Sequence, residues 1–349
     1  MVFFRFRRSI LSRSQITIRD VAIQAGVSHQ TVSRVINNSE QVTPSTRKRV
    51  EDAIKKLGYR PNVIARSMAQ GHTHTLGCIS PNLTNYIFSS IIENAQAEAR
   101  RLGFFILTGF ASSADDVPLL LDEMLNRRVD GLLVLNPRDD ERYLHLLPLI
   151  ESGMPVVYLK NTPKEEAVSS VCADDQNGGY LATQYLLELG HTNIVTIIGP
   201  KNEECTQDRL NGYRQALSEA SIKQEETLVI KGDWSAESAG RAVQELLASA
   251  TPFSAIFAQN DRMAVGTIRA LRDSGLRVPQ DISVIGYDDI PLASYFDPPL
   301  TTIRQPMDEF GRHGAQLLVD SIQNPKYSPK QVRLDTQLIK RNSCAPLQS

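Results

Sequence analysis

From Thr75 onward, short apolar runs of strand length alternate with longer stretches of helix length. The runs are Leu76–Ser80, Phe104–Thr108, Gly131–Leu135 and Val156–Leu159, then Ile194–Ile198, Leu228–Ile230, Ala255–Ala258 and Ile282–Ile285. Such βαβα alternation implies parallel sheet covered by helices on both faces, and this many units suit two sheets better than one. The expected body is therefore an α/β core of two lobes, with a boundary near Asp174.

Ahead of this body the period changes from strand to helix. A Thr17-x-x-Asp20 box opens a helix with Ile18, Val21, Ala22 and Ala25 on one face, and Gly26 stops it. Ser28 caps a second short helix that turns Val32, Val35 and Ile36 to one side and Gln30, Thr31 and Arg34 to another, ending near Asn37-Asn38. A third takes Thr43 as cap and Pro44 as its first residue, buries Val50, Ala53, Ile54 and Leu57, and finishes at Gly58. Two helices separated by Ala25-Gly26-Val27, with a polar outer face on the second, read as a helix-turn-helix. A major groove admits one such helix, where Gln30 suits adenine, Arg34 suits guanine, and His29 suits a base or a phosphate. The bland alternative is a helical hairpin with a solvated face. Beyond it, Asn62 is placed to cap Val63–Gln70, closed by Gly71, a stretch too short to hold a helix alone in water.

Charge separates the two readings of the hairpin. The chain's net −1 conceals a segment, residues 1–71, with 10 Arg and 3 Lys against 2 Asp and 2 Glu, net +9; the remaining 278 residues carry −10. A basic end on an acidic body points to nucleic acid at that end only, with binding that weakens steeply as salt rises. Residues 1–14 mix Phe3, Phe4 and Phe6 with Arg5, Arg7, Arg8 and Arg13 and have no continuous apolar stretch, which argues against a signal peptide. They read as a basic extension, either a disordered arm or the product of an upstream start codon. No run approaches a membrane span. Cys78, Cys172, Cys205 and Cys344 show no paired spacing, so the expectation is buried free thiols in a reducing cytoplasm and no metal or other cofactor.

The wording of the chain resembles the lactose operon repressor family, also called the galactose/lactose repressor family. The resemblance is carried by Thr17–Ser28, Gln30–Asn37, Gly58–Asn62, Gly190-His191, Gly232–Ala236, Asn260-Asp261, Ser274–Val278, Asp281–Asp289 and Pro299–Ile303, in one order from Gln15 to about Arg341. The Gly232–Ala236 and Pro299–Ile303 segments are especially similar to the lactose repressor, the family's namesake. The resemblance implies a small all-α helix-turn-helix headpiece followed by an α/β core of two parallel-sheet, Rossmann-like lobes of periplasmic-binding-protein type. The implied divisions are an extension at 1–14, a DNA-binding domain at 15–60, a hinge helix and linker at 61–73, a core N-lobe at 74–173 and 305–332, and a C-lobe at 174–304 and 333–349. It also implies a homodimer on a pseudo-palindromic operator. DNA contacts would come from Thr17, Ser28, His29, Gln30, Thr31, Ser33, Arg34, Asn37, Tyr59 and Asn62, with Met68 as an apolar wedge in the minor groove and Ala65 allowing close approach of paired hinge helices. Only Asn342–Ser349 follow Lys340-Arg341, too few for the namesake's tetramerisation helix, so a dimer is expected.

For the core, the resemblance implies an effector between the lobes. Arg209, Asn260 and Asp288 would hydrogen-bond its hydroxyls, Trp234 and Phe88 would offer ring faces, and Gln305 would lie at a crossover. By residues alone, Asp288 reads as a solvated loop acid and Trp234 as a core aromatic. Two positions depart from the namesake: Lys160 stands where it has a sugar-contacting Asp, and Met307 replaces an aromatic. Lys160 either favours an effector with a negative group, such as a uronate or sugar phosphate, or pairs with Asp174 or Asp175.

The function implied is a cytoplasmic, nucleoid-associated transcriptional regulator, most simply a repressor of a carbohydrate-utilisation operon that a sugar or sugar derivative releases from its operator. A corepressor would reverse the sign. A sugar-binding protein of transport shares the core but should have a signal peptide and no basic headpiece. An enzyme needs convergent acids or a nucleophile with its base; Asp139-Asp140, Asp174-Asp175 and Asp288-Asp289 are adjacent only in sequence, so no enzyme is expected.

Overall fold

The computed structural model describes residues 16–36, 39, 41–59, 72–137, 141–164, 167–223, 225–324 and 326–347. The extension at 1–14, Asn37, and the hinge positions Asn62, Ala65 and Met68 lie outside the described residues. The chain divides into two compact units, Met1–Thr73 and His74–Ser349.

In the first unit, α1 (Ile18–Ala25), α2 (His29–Ile36) and α3 (Pro44–Leu57) enclose a small core of Val21, Ala22, Ala25, Val32, Val35, Val50 and Ala53. The Asp20 carboxylate accepts from the Thr17 backbone N–H at 2.7 Å and its hydroxyl at 2.8 Å, which holds the acid below its ordinary range at the positive end of α1. Gly26 follows α1 at φ +62°, a left-handed conformation that spares glycine the Cβ clash other residues suffer, and lets the chain reverse towards α2. Arg49 of α3 then donates to the Ala25 carbonyl from Nη2 at 2.7 Å and Nε at 3.2 Å. Arg47 donates likewise to the Val35 carbonyl at the end of α2 and to Ser39 O beyond it. Two of the basic residues behind the net positive charge therefore cap helix C-termini inside the headpiece.

The second unit contains two six-stranded sheets. The first has the order β2 (Phe105–Phe110), β1 (Thr75–Ser80), β3 (Gly131–Leu135), β4 (Val156–Leu159), β5 (Ser169–Ala173), β11 (Gln331–Leu334), all parallel. The second runs β7 (Val229–Lys231), β6 (Ile194–Ile198), β8 (Ala255–Ala258), β9 (Ser283–Asp288), β10 (Thr301–Arg304), β12 (Gln337–Ile339), with only β12 antiparallel. Central strands β3, β4, β6 and β8 are buried along their whole length, as expected of strands covered on both faces. In β3, Leu133 and Leu135 join one core with α4 (Tyr86–Arg101) and α11 (Met307–Gln323). Leu132 and Val134 join another with α5 (Val117–Asn126). A short α6 (Leu147–Glu151) precedes β4. The second sheet is covered by α7 (Asp175–Glu188) and α8 (Glu204–Glu219) on one face, and by α9 (Ala236–Ala248) and α10 (Asp261–Asp273) on the other.

The chain passes between the lobes three times: after β5, after β10 and after β11. β11 spans Gln331–Leu334, so the lobe boundary expected at 332 falls inside a strand, and Arg333 and Leu334 pair with Cys172 and Ala173 in the first sheet. Four strands outside the eight apolar runs, β5, β10, β11 and β12, complete the sheets. Their signal is weak because serines and threonines such as Ser169, Ser170, Thr301 and Thr302 occupy buried positions. Cys172 and Cys344 are half-buried, whereas Cys78 and Cys205 are buried as expected of free thiols.

Candidate functional site

On the headpiece, α2 presents His29, Gln30 and Arg34 to solvent, and none of these side chains hydrogen-bonds another described residue. Ser28 and Thr31 are engaged locally: Ser28 Oγ accepts from Thr31 N at 3.1 Å and lies 2.9 Å from Thr31 Oγ1. Ser33 and Tyr59 are half-buried, and Tyr59 packs against the headpiece core. Thr17 is exposed, with its hydroxyl on Asp20. The readable surface is thus an imidazole and an amide in the first turn of α2 and a guanidinium in its last, a set able to donate to and accept from base edges in a major groove.

In the core, a cleft of about 510 Å³ lies between the lobes. Its polar walls come from the loops just beyond the C-terminal ends of parallel strands, where α/β sheets place ligands because successive helices diverge there. Phe88, Lys160, Arg209, Trp234, Asn260, Asp288 and Gln305 all line it. Asn136, Arg142, Glu203 and Arg262 line it too, and sequence reasoning did not single them out. Asn136 directly follows β3 and was accessible to the strand-end rule; Arg142 sits in a single 3-10 turn, Arg142–His145, that no pattern announces.

Arg209 is the centre of the C-lobe wall. Its Nε donates to Asp175 Oδ1 at 2.7 Å, its Nη1 donates to the Gln259 carbonyl, and its guanidinium lies 3.7 Å from the Tyr287 ring centre and 5.6 Å from that of Trp234. Burial disfavours its charge, but Asp175 opposes this and the net direction is well above the ordinary value. The pair forms because α7 and α8 touch backbone to backbone: a Cβ on Gly179 would lie 2.1 Å from Arg209 O, and one on Gly212 would lie 1.9 Å from Gln176 O. Trp234, held at φ +70°, donates from Nε1 to Glu203 Oε2 at 2.8 Å, which fixes the indole at the cleft rim. Asn260 caps α10 through Met263 N at 2.7 Å and donates to Trp234 O at 3.1 Å, so its amide is positioned from both sides. Phe88 belongs to the N-lobe core and also lines the cleft.

A chain of side chains crosses the floor. Lys160 Nζ donates to Gln305 Oε1 at 3.0 Å, and Gln305 Nε2 donates to Asp288 Oδ1 at 2.6 Å. Burial pushes Asp288 up to about 6, against the pull of Arg209 and Lys160. The same burial raises Glu203. Of the two alternatives for Lys160, pairing with Asp174 or Asp175 does not occur. Asp175 is taken by Arg209, and Asp174 caps α7 and lies 3.7 Å from Arg333. Nearer the crossovers, Glu204 Oε2 accepts from Thr162 N at 3.1 Å and Asn161 Nδ2 at 3.3 Å, joining the C-lobe to the N-lobe. No group of three or more His, Cys, Asp or Glu placed to hold a metal occurs among the described residues.

A helix-turn-helix unit joined to a two-lobed α/β core with a cleft between its lobes defines a class, and comparison with known proteins gives the family. The description "Bacterial regulatory proteins, lacI family" matches residues 17–62, and "Periplasmic binding protein-like domain" matches residues 183–344. The HTH-type transcriptional regulator CelR of Thermobifida fusca is 39% identical over 339 residues, covering 95% of this chain and 99% of that protein. The HTH-type transcriptional repressor PurR of Escherichia fergusonii is 38% identical over 330 residues, covering 94% and 97%. The chain belongs to the lacI family of bacterial regulatory proteins, and so is a DNA-binding transcriptional regulator rather than an enzyme. Among solved structures, the lac repressor dimer bound to operator and the anti-inducer ONPF superposes with TM-score 0.84 at 31% identity, covering 95% of this chain and 99% of that one. A CelR–cellobiose complex superposes with TM-score 0.73 at 38% identity, covering 94% and 99%. The family, the headpiece and the two-lobed core agree with the expectations drawn from sequence.

Proposed function

We propose that the chain is a dimeric repressor of a carbohydrate-utilisation operon, acting on the chromosome in the cytoplasm and leaving a pseudo-palindromic operator when a sugar or sugar derivative occupies the cleft. His29, Gln30 and Arg34 read bases; Thr17, Ser28, Thr31, Ser33, Asn37 and Tyr59 follow the backbone; Asn62, Ala65 and Met68 belong to the minor-groove contact. Phe88, Lys160, Arg209, Trp234, Asn260, Asp288 and Gln305 hold the effector.

The observation that carries this reading is the cleft wall itself. A charged guanidinium, an amide and a carboxylate stand beside an indole face, which matches a ring with hydroxyls at its edge and C–H bonds on its face. The coupling is linkage: an effector that prefers one lobe arrangement shifts the protein towards it, and operator DNA weakens effector binding by the same factor.

The test is fluorescence anisotropy on a labelled duplex recovered by selection from a random pool. Binding is expected to weaken steeply with salt and to weaken further when sugars of the right class are added. A sugar that tightens binding makes it a corepressor, and the absence of any sugar effect overturns the ligand-responsive part of the reading.

A further inference from the structure

We propose that the effector carries an anionic group, a carboxylate or a phosphate ester, that ion-pairs with Lys160. This rests on the reading of the cleft as the effector site and names the chemistry that it selects.

Lys160 follows β4 at φ +72° and is only 9% exposed, yet it lines the cleft. Backbone strain of this kind persists where the surroundings hold a side chain in place, and is enriched at ligand sites. The ammonium has three N–H donors. One goes to the neutral amide oxygen of Gln305 at 3.0 Å, and the charge otherwise faces the Phe310 ring, 5.4 Å from its centre. Among the described residues no carboxylate oxygen lies within ion-pair distance of it. A charge buried to this degree is normally paired, because water no longer stabilises it.

The two obvious counter-ions are committed elsewhere. Asp175 is held by Arg209 at 2.7 Å, and Gln305 stands between Lys160 and Asp288 as an uncharged spacer. The arrangement keeps the cation close to an acid without neutralising it, and leaves two N–H donors for an incoming anion.

The walls of the cleft are also unequal. The N-lobe lining contains Lys160 and no acid among the described residues. All the acids of the lining, Glu203, Asp233 and Asp288, stand on the C-lobe side, together with Arg262 and the Asp175-paired Arg209. Glu203 is hydrogen-bonded to the Trp234 indole, and Asp233 accepts from Ser235 N at 2.9 Å. A ligand with its negative end against the N-lobe and its hydroxyls and ring face against Asp288, Asn260 and Trp234 satisfies both walls. A neutral sugar leaves the Lys160 ammonium without an ion-pair partner.

Trp234 is the chain's single tryptophan, so its fluorescence reports cleft occupancy directly. The full-length protein is titrated at one pH and ionic strength with two matched series, glucose, glucuronate and glucose 6-phosphate, and galactose, galacturonate and galactose 6-phosphate, with cellobiose as a further neutral sugar. In at least one series an acidic member is expected to bind about tenfold or more tightly than its neutral parent. The carboxylate and phosphate arms separate the two sources of the anion. The preference should collapse in Lys160→Gln and survive in part in Lys160→Arg.

Equal or tighter binding of every neutral parent overturns the inference, as does an undiminished preference in Lys160→Gln. If neither variant folds, the wild-type series decide alone. Neutral sugars that bind and loosen DNA while the acids do not would sink only this inference. Silence of Trp234 towards every sugar would remove the effector reading along with it.

Discussion

Asp288 stands at the point where the proposed effector binding and stability oppose each other. It ends β9 with φ +117°, is 8% exposed, and burial lifts its carboxyl from the ordinary range to about 6. Its neighbour Asp261 is also raised well above the ordinary range, by burial first and then by the Asp288 charge, while its oxygens accept from Thr302 and from Ile290 N. The folded protein holds these protons more tightly than the unfolded chain does. The ionised forms therefore cost stability above the folded values, the cost develops as pH rises from the ordinary carboxylate range through about 6, and it is absent below. Asp288→Asn removes one charge at nearly constant shape. It is expected to raise stability at pH 7.5 by on the order of 2 kcal/mol, with the gain shrinking as pH falls to about 4, and to weaken effector binding. Chemical denaturation across that pH range, paired with a Trp234 titration, checks both signs. Sequence identified Asp288 through motif alone; its depth and its acidic neighbour are facts of the fold.

Among elements, the headpiece was the most legible. Its caps, its stop at Gly26 and its apolar spacing are all local signals, and α1, α2 and α3 begin and end where those signals lie. The use made of Arg47 and Arg49 was not legible, because an arginine on a basic helix reads the same whether it faces DNA or a neighbouring helix end. Arg49→Ala removes charged donors from the end of α1 and is expected to cost about 1–2 kcal/mol of local stability. Hydrogen exchange of the α1 amides in the full chain should accelerate, and protection equal to the wild type would show the contact to be dispensable. In the core, apolar runs announced the central strands, but β2 lies at Phe105–Phe110 rather than Phe104–Thr108, with Phe105 and Phe110 exposed on its edge position. Edge strands and the polar strands β5, β10, β11 and β12 carry little hydrophobic signal, since their burial comes from partners far away in sequence.

At the scale of the whole core, the lobes are joined by three crossovers and by polar contacts that bridge the cleft. Glu204 accepts from Thr162 N and Asn161 Nδ2 of the opposite lobe and does not itself line the cleft. Glu204→Ala removes that bridge. It is expected to raise the radius of gyration of the free protein in small-angle scattering and to lower effector affinity several-fold, because closure must then proceed without it. An unchanged radius and affinity would show that the crossovers alone set the lobe arrangement.

By itself the sequence determined the class of the molecule. Periodicity separated helical headpiece from α/β core, the opposite charges of the two parts placed DNA at one end, and motif order gave the family. These properties are local or compositional, so they survive in a linear reading. Only the tertiary structure decided which charges are satisfied. Asp175 meets Arg209 because two glycines let α7 and α8 touch, and Lys160 meets a glutamine 145 positions away instead of an acid. Electrostatic pairing depends on distance through space and on exclusion of water, and neither quantity is written along the chain.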